Sequence, residues 1–164
     1  LNIAIKNKPS FVCIVPEKRK ELTTEGGLNI LKNKKILKKI IFKLKKNKIR
    51  ISLFIEPLLS NVELAFMLGV DCVELHTGTF CNLFNKKHKK KTEVVYIKIK
   101  QCASFAKNLG LDVHAGHGLT YKSAYQISKV EEISEFNIGH FIVAESIFIG
   151  LKNSIKQFKK IINI

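Results

Sequence analysis

Short apolar runs alternate along this chain with longer stretches in which apolar residues return at helical spacing. Five runs are short and apolar-rich enough to be strands: Phe11 to Val15, Ile49 to Phe54, Cys72 to Leu75, Leu111 to Ala115 and Phe136 to Ile138. Helices fill the gaps, at about Ile30 to Asn47, Leu59 to Leu68, Thr92 to Leu109 and Tyr121 to Val130, with a last one from Leu151 to Ile162. Strands and helices in strict alternation predict a βα array around a parallel sheet. Two junctions echo each other, Met67-Leu68-Gly69-Val70-Asp71 and Asn108-Leu109-Gly110-Leu111-Asp112. In each, a glycine is placed to take the left-handed conformation that ends a helix, and the chain turns straight into the next strand.

The polar positions cluster where these strands end. Phe11-Val12-Cys13-Ile14-Val15 feeds into Pro16-Glu17-Lys18-Arg19 and the glycine-bearing stretch Thr23-Thr24-Glu25-Gly26-Gly27. Further strand ends carry Glu74-Leu75-His76-Thr77-Gly78, His114-Ala115-Gly116-His117-Gly118 and Asn137-Ile138-Gly139-His140. Glu17, Glu56, Glu74, His76, His117 and His140 therefore fall at or just beyond carboxyl ends of strands, where βα-barrels and open α/β sheets build their sites. The opposite ends show nothing comparable.

On position alone each candidate has two readings. Glu74 is either a functional carboxylate or the partner of a nearby lysine. His117, flanked by Gly116 and Gly118, suits close approach to a ligand and proton transfer; the alternative is a cap. His140 directly after Gly139 is either a phosphate contact or a core histidine, and His76 and His114 divide evenly between site and structure. Glycine turns leading into helices expose backbone N–H groups that bind anions, so a phosphorylated substrate is the natural expectation. Neither a G-x-x-x-x-G-K-[ST] loop nor a G-x-G-x-x-G fingerprint occurs.

Charge changes this picture little. The chain has 29 Lys+Arg against 13 Asp+Glu and a formal net charge of +16, which makes a basic nucleic-acid-associated protein the alternative reading. Only Arg19 and Arg50 are arginine, however, and bidentate recognition of phosphates and bases leans on arginine. In the densest stretch Ile36, Leu37, Ile40, Ile41 and Leu44 share one side, leaving Lys35, Lys39, Lys43 and Lys46 on a solvated face. Lys86 to Lys91 lacks apolar periodicity and reads as an exposed loop before a helix. Cys13, Cys72, Cys81 and Cys102 have no metal-ligand spacing and read as reduced, buried thiols of a cytoplasmic protein. No apolar run is long enough for a membrane span, because Glu145 interrupts Phe141 to Ile149. Leu1 to Ser10 lacks a signal-peptide core. A metal-dependent hydrolase using His76, His114 and His117 is a third reading, although the spacing matches no ligand signature.

Taken together, the Val15-to-Arg19 motif with Leu22 to Gly27, Glu74-Leu75-His76-Thr77-Gly78, Ala115-Gly116-His117-Gly118-Leu119-Thr120 and Asn137-Ile138-Gly139-His140 resemble the pyridoxine 5'-phosphate synthase family, over nearly the whole chain. The resemblance implies a (β/α)₈ TIM barrel of which residues 1–164 form the C-terminal part of a single domain, about the last five β/α units, strands 4 to 8. It implies the ring-closing condensation of 3-amino-1-hydroxyacetone phosphate with 1-deoxy-D-xylulose 5-phosphate, giving pyridoxine 5'-phosphate, inorganic phosphate and water, with no cofactor. By the same resemblance Thr23 contacts the deoxyxylulose phosphate, Glu74 stabilises a transition state and His117 is the proton donor. The resemblance further implies that Gly118, Gly139 and His140 hold the aminoacetone phosphate and that the protein is a homo-oligomer, an octamer.

Length stands against a full barrel, which typically takes ~250 residues. The expectation is that strands one to three are absent, together with the family's other catalytic His and Glu and its Arg-rich substrate contacts; a first residue Leu1 fits a fragment. The isolated chain is then expected to be inactive, as part of an enzyme or as a degenerate remnant of one. Three departures from the family pattern stand out: His114 for the usual Asn, Glu56 for Asp, and Glu145 for a basic residue near the phosphate corner.

Overall fold

The structure, a computed structural model, describes residues 1–16 and 26–162. Its centre is a five-stranded, wholly parallel sheet whose strands lie side by side in chain order. They are β1 (Phe11–Ile14), β2 (Arg50–Ile55), β3 (Cys72–His76), β4 (Asp112–Gly116) and β5 (Ile133–Asn137). Among the described residues eight helices accompany them: α1 (Asn2–Asn7), α2 (Ile30–Lys46), α3 (Leu59–Met67), α4 (Gly78–Asn85), α5 (Lys89–Asn108), α6 (Tyr121–Ile127), α7 (His140–Ile149) and α8 (Leu151–Ile162). Unbroken sequential order with parallel pairing is the topology of a TIM-like α/β fold.

The two faces of the sheet differ in kind. Ile51, Leu53, Ile55, Val73, Leu75, Val113 and Ala115 alternate onto one face and join the core, where Leu37, Ile41 and Leu44 of α2 and Ile99, Cys102, Ala103 and Ala106 of α5 cover them. Full burial of each such Ile or Leu contributes on the order of 1.5–3 kcal/mol. The interleaved residues Cys13, Ser52, Phe54, Cys72, Glu74, His76, His114 and Asn137 occupy the other face, in register across the strands. A sheet with one apolar face under helices and one polar face bearing carboxylate, imidazole and thiol is built to present chemistry.

Several elements depart from the sequence-based expectation. β5 begins at Ile133 rather than Phe136, because a bulge sets Val113 opposite Ile133 but His114 opposite Glu135. The extra residue, Ser134, hides the two-residue period and lets Ile133 and Phe136 both reach the core side while Glu135 and Asn137 stay on the polar face. No helical spacing in the sequence predicts α4: its sequence, GTFCNLFN, is poor in helix formers, and burial of Phe80 and Cys81 holds it. Lys89, Lys90 and Lys91 form the first turn of α5 instead of a loop, against the helix dipole. In α2 the core stripe is Ile30, Leu37, Ile41 and Leu44, whereas Ile36 is 56% exposed. α1, six residues with none buried, likewise has no apolar stripe to predict it.

Gly69 and Gly110 do adopt left-handed backbone, with φ 74° and 81°. The amino ends of the strands are less plain than expected: Arg50 pairs with Asp112 across β3, and Asp71 Oδ2 accepts the Ile51 N–H at 2.9 Å. These contacts brace the end opposite the site.

Candidate functional site

A cavity of about 530 Å³ opens at the carboxyl ends of the strands, lined by Val15, Phe54, Glu74, His117, Gly118, Asn137, Gly139 and His140 among others. Four separate chain segments supply these groups, and each is placed by its local geometry. Glu74 is the middle residue of β3, with its side chain on the polar face. Its Oε2 accepts hydrogen bonds from Asn137 Nδ2 at 2.9 Å and Cys13 Sγ at 3.3 Å, so β1, β3 and β5 are tied through one carboxylate. No lysine pairs with it among the described residues. Burial raises the Glu74 pKa, and the two donors oppose that only in part. Cys13 is not the buried apolar thiol expected: the residue is exposed to solvent, while its sulfur turns in against the sheet, where lost solvation and the Glu74 carboxylate raise its pKa.

The turn after β4 is strained and clamped. His117 has φ 80°, a conformation uncommon outside glycine, and Gly118 follows at 76°. Thr77, fully buried, holds that turn: its N–H donates to Gly116 O at 2.9 Å, and its hydroxyl proton is shared between Gly116 O at 2.8 Å and His117 O at 2.7 Å. The His117 pKa is lowered by burial first and then by the neighbouring His76 and His140. The imidazole is accordingly neutral at pH 7.

Gly139 is the N-cap of α7 and His140 its first residue, so the unpaired N–H groups of the first turn face the same cavity. No side chain caps this end, which leaves it available to an anion. Ala144, not Glu145, lines the cavity from α7. The unexpected acidic residue of this helix thus sits outside the lining.

Glu56, just beyond β2, receives two N–H groups on Oε1, from Gly27 and from His76 Nδ1, each at 2.8 Å. The His76 bond is the first cause of a lowered Glu56 pKa. His76 itself is buried and lies edge-on to His117, with ring centroids 4.8 Å apart. His114 goes elsewhere: it stacks near Phe11 at 5.5 Å, and its Nδ1 is 3.5 Å from Glu135 Oε1. The three histidines do not converge, and among the described residues no group of three His, Cys, Asp or Glu is placed to hold a metal ion.

Of the residues singled out from the sequence, Glu74, His117, Gly118, Gly139 and His140 line this one cavity. Thr23, and with it Glu17, lies outside the described residues. Sequence reasoning gave no role to Thr77, Asn137 or Cys13. Thr77 carried a signal in retrospect, since Glu74 and His76 share a face by alternation and the polar residue next to them closes the strand.

A parallel α/β fold with a neutral histidine, a buried carboxylate and an uncapped helix start converging at strand carboxyl ends defines a TIM-like protein built to bind a phosphorylated ligand. Comparison with known proteins narrows the class. The family model for pyridoxal phosphate biosynthesis protein PdxJ matches residues 1–164, and the chain belongs to that family. It is 55% identical over 163 residues to pyridoxine 5'-phosphate synthase of Pelagibacter ubique, covering 99% of this chain and 67% of that protein. The same-named proteins of Sulfurihydrogenibium sp. and Zymomonas mobilis are 44% and 47% identical, with 98% and 97% of this chain and 65% and 60% of theirs covered. The chain spans about two thirds of the length of the curated relatives it matches. Among the described residues no helix is long and apolar enough to cross a membrane.

Proposed function

We propose that the chain serves pyridoxine 5'-phosphate synthesis, the condensation of 3-amino-1-hydroxyacetone phosphate with 1-deoxy-D-xylulose 5-phosphate that closes the pyridine ring and releases inorganic phosphate and water. The observation that carries this reading is the meeting of His117, Glu74 and the α7 start in one cavity, within a chain of this family. On the same reading the five β/α units are units 4 to 8 of an eightfold barrel. Parallel pairing in chain order and a polar face opposite the helices support it.

The residues suit the chemistry. Imine formation, enolisation, loss of phosphate and dehydration each need a proton given or taken at a fixed point. His117, neutral at rest, donates its ring proton to a leaving oxygen and recovers one in a later step. Glu74, its pKa raised by burial, is held by Asn137 and Cys13 where it stabilises positive charge developing on the substrate nitrogen. Gly139 and His140 with the first turn of α7 hold the phosphate of the amino ketone, and Gly118, whose left-handed turn lies in the lining of the same cavity, contacts it as well. Thr23 is assigned to the deoxyxylulose phosphate. Remote phosphate contacts supply orientation at the reacting carbon atoms.

Assembly into a homo-oligomer and a cytoplasmic setting belong to this proposal. Ile147 and Phe148 on α7 are 80% and 83% exposed, and all four cysteines are unpaired. The nucleic-acid alternative gains nothing from the structure: Lys35, Lys39, Lys43 and Lys46 are spread along the outer face of α2.

Titrating the purified chain with 3-amino-1-hydroxyacetone phosphate while following backbone amides tests the reading. Shifts confined to Gly118, Gly139, His140 and their neighbours, competed by inorganic phosphate, are expected. Turnover of both substrates by the isolated chain is expected to be nil. Amide shifts scattered over the lysine-rich helices would overturn the site, and product at a normal rate would overturn the five-unit reading.

A further inference from the structure

We infer that Glu56 and His76 are positioning residues that act through His117, fixing its ring and biasing its protonation from behind the cavity. The inference rests on the proposed proton-transfer role of His117.

Glu56 sits at the centre of a three-way junction. Its Oε1 accepts the Gly27 N–H and the His76 Nδ1–H, while Leu28 N–H donates to Phe54 O at 2.8 Å. This joint is tight, for a Cβ on Gly27 would lie 2.1 Å from Glu56 N. An ionised carboxylate can only accept, so the shared proton resides on His76 Nδ1. That fixes the tautomer of a neutral ring, and it leaves Nε2 as an acceptor.

Nε2 is where the arrangement departs from ordinary packing. His76 is 4% exposed, and Nε2 has no hydrogen-bond partner among the described residues. Buried polar atoms are normally satisfied, and those left unsatisfied concentrate where function holds them. The ring is packed edge-on against Phe54 at 5.2 Å and His117 at 4.8 Å. Gly78 makes this possible. A Cβ there would stand 2.5 Å from His76 Nε2 and 2.8 Å from His117 Cδ2, so a methyl group would wedge the two rings apart.

His76 is not part of the cavity lining, and His117 is. Among the described residues the pair meets the cavity lining at His117 and at Phe54, and of these two His117 is the one that can carry a proton. Among the described residues the titratable groups that act on His117 are His76 on β3, His140 at the start of α7 and Glu56 after β2, with Glu74 in the same cavity and the Cys81 thiol of α4 at the His117 carbonyl, 3.8 Å away. Of these, the two histidines oppose an imidazolium at His117 and the Glu56 carboxylate favours it. Glu56 thus moderates the lowering caused by burial and keeps the proton available, while His76 carries its carboxylate's influence and sets the ring angle.

Histidine NMR on the 164-residue chain tests the coupling without substrate, so its failure is distinguishable from a failure of the synthase reading. In the unaltered chain, long-range ¹H–¹⁵N correlations should show the Nδ1–H tautomer for His76; an Nε2–H tautomer would overturn the inference. Glu56→Gln keeps the size and the acceptor but removes the charge, and should lower the His117 midpoint by on the order of 0.5 pH unit. His76→Phe keeps a ring in place and should shift the His117 Cε1–H resonance, while Glu56→Asp, which retains the charge, should return the midpoint toward its original value. A His117 midpoint unchanged in a folded Glu56→Gln chain would overturn the inference, whether or not His76→Phe folds.

Discussion

Replacing Gly116 by alanine tests how the carboxylate at the centre of the site is held. Gly116 is the last residue of β4, opposite His76 on one side and Asn137 on the other. A Cβ built there would lie 2.1 Å from Glu74 Oε1, 3.1 Å from Glu74 Cδ and 3.2 Å from Asn137 Cβ. To restore ordinary contact the carboxyl group must retreat by about 1.3 Å. That movement exceeds the slack in the 2.9 Å bond from Asn137 and the 3.3 Å bond from Cys13. Glu74 is buried, so water does not replace what is lost. A hydrogen bond to a charged group is worth about 1.5–3 kcal/mol, and a thiol donor less, which puts the cost of Gly116→Ala near 2–4 kcal/mol. In a chain of this size about 2–4 °C of melting temperature follow each kcal/mol, so a fall of about 5–15 °C is expected in thermal melts by circular dichroism. Gly139→Ala is the control: nothing lies within 4 Å of its Cβ, and its φ of −110° is ordinary. As a helix N-cap it should cost no more than about 1 kcal/mol. A Gly116→Ala chain that melts within a degree or two of the unaltered one would refute the view that this glycine makes room for a fixed Glu74.

Other consequences follow from the same geometry. Thr77→Val keeps the shape but removes the hydroxyl that clamps the Gly116 and His117 carbonyls; about 1–3 kcal/mol of stability should be lost, with the largest amide shifts at 116–118. Glu74→Gln removes a buried charge whose pKa is raised, so the melting temperature at pH 8 should hold or rise; in any preparation that turns over both substrates, rate should fall by about 10²-fold or more. His117 is held below its ordinary value of 6.5, so the unfolded chain binds more protons between the lowered midpoint and 6.5. Stability should therefore be full above 6.5 and decline as pH falls through that window. Melts of His117→Asn against the unaltered chain should converge toward acid, and a difference independent of pH would contradict the lowered midpoint.

The sequence carried much of this molecule, because the physics that sets its strands is local. A buried strand must be a short apolar run, and a helix that turns at once into such a strand needs a residue tolerant of left-handed backbone; Gly69 and Gly110 meet that need. The positions of His117 and His140 just beyond strand ends were legible for the same reason, whereas Glu74, expected near a strand end, lies in the middle of β3 because that strand runs on to His76. What escaped was set by partners distant in the chain. The β5 bulge blurred the period of Ile133 to Glu135, and α4 holds its form through burial of Phe80 rather than through helix propensity.

By itself, then, the amino-acid order determined a parallel βα array and the strand ends on which polar chemistry would sit, since periodicity and glycine turns act over a few residues. Only the tertiary structure decided which of those groups meet. Cys13 and Asn137 lie 61 and 63 residues from Glu74, and Glu56 lies 20 from His76. Register between parallel strands brings them within hydrogen-bond distance, and that register is set by packing of the whole core, which no local stretch of sequence contains.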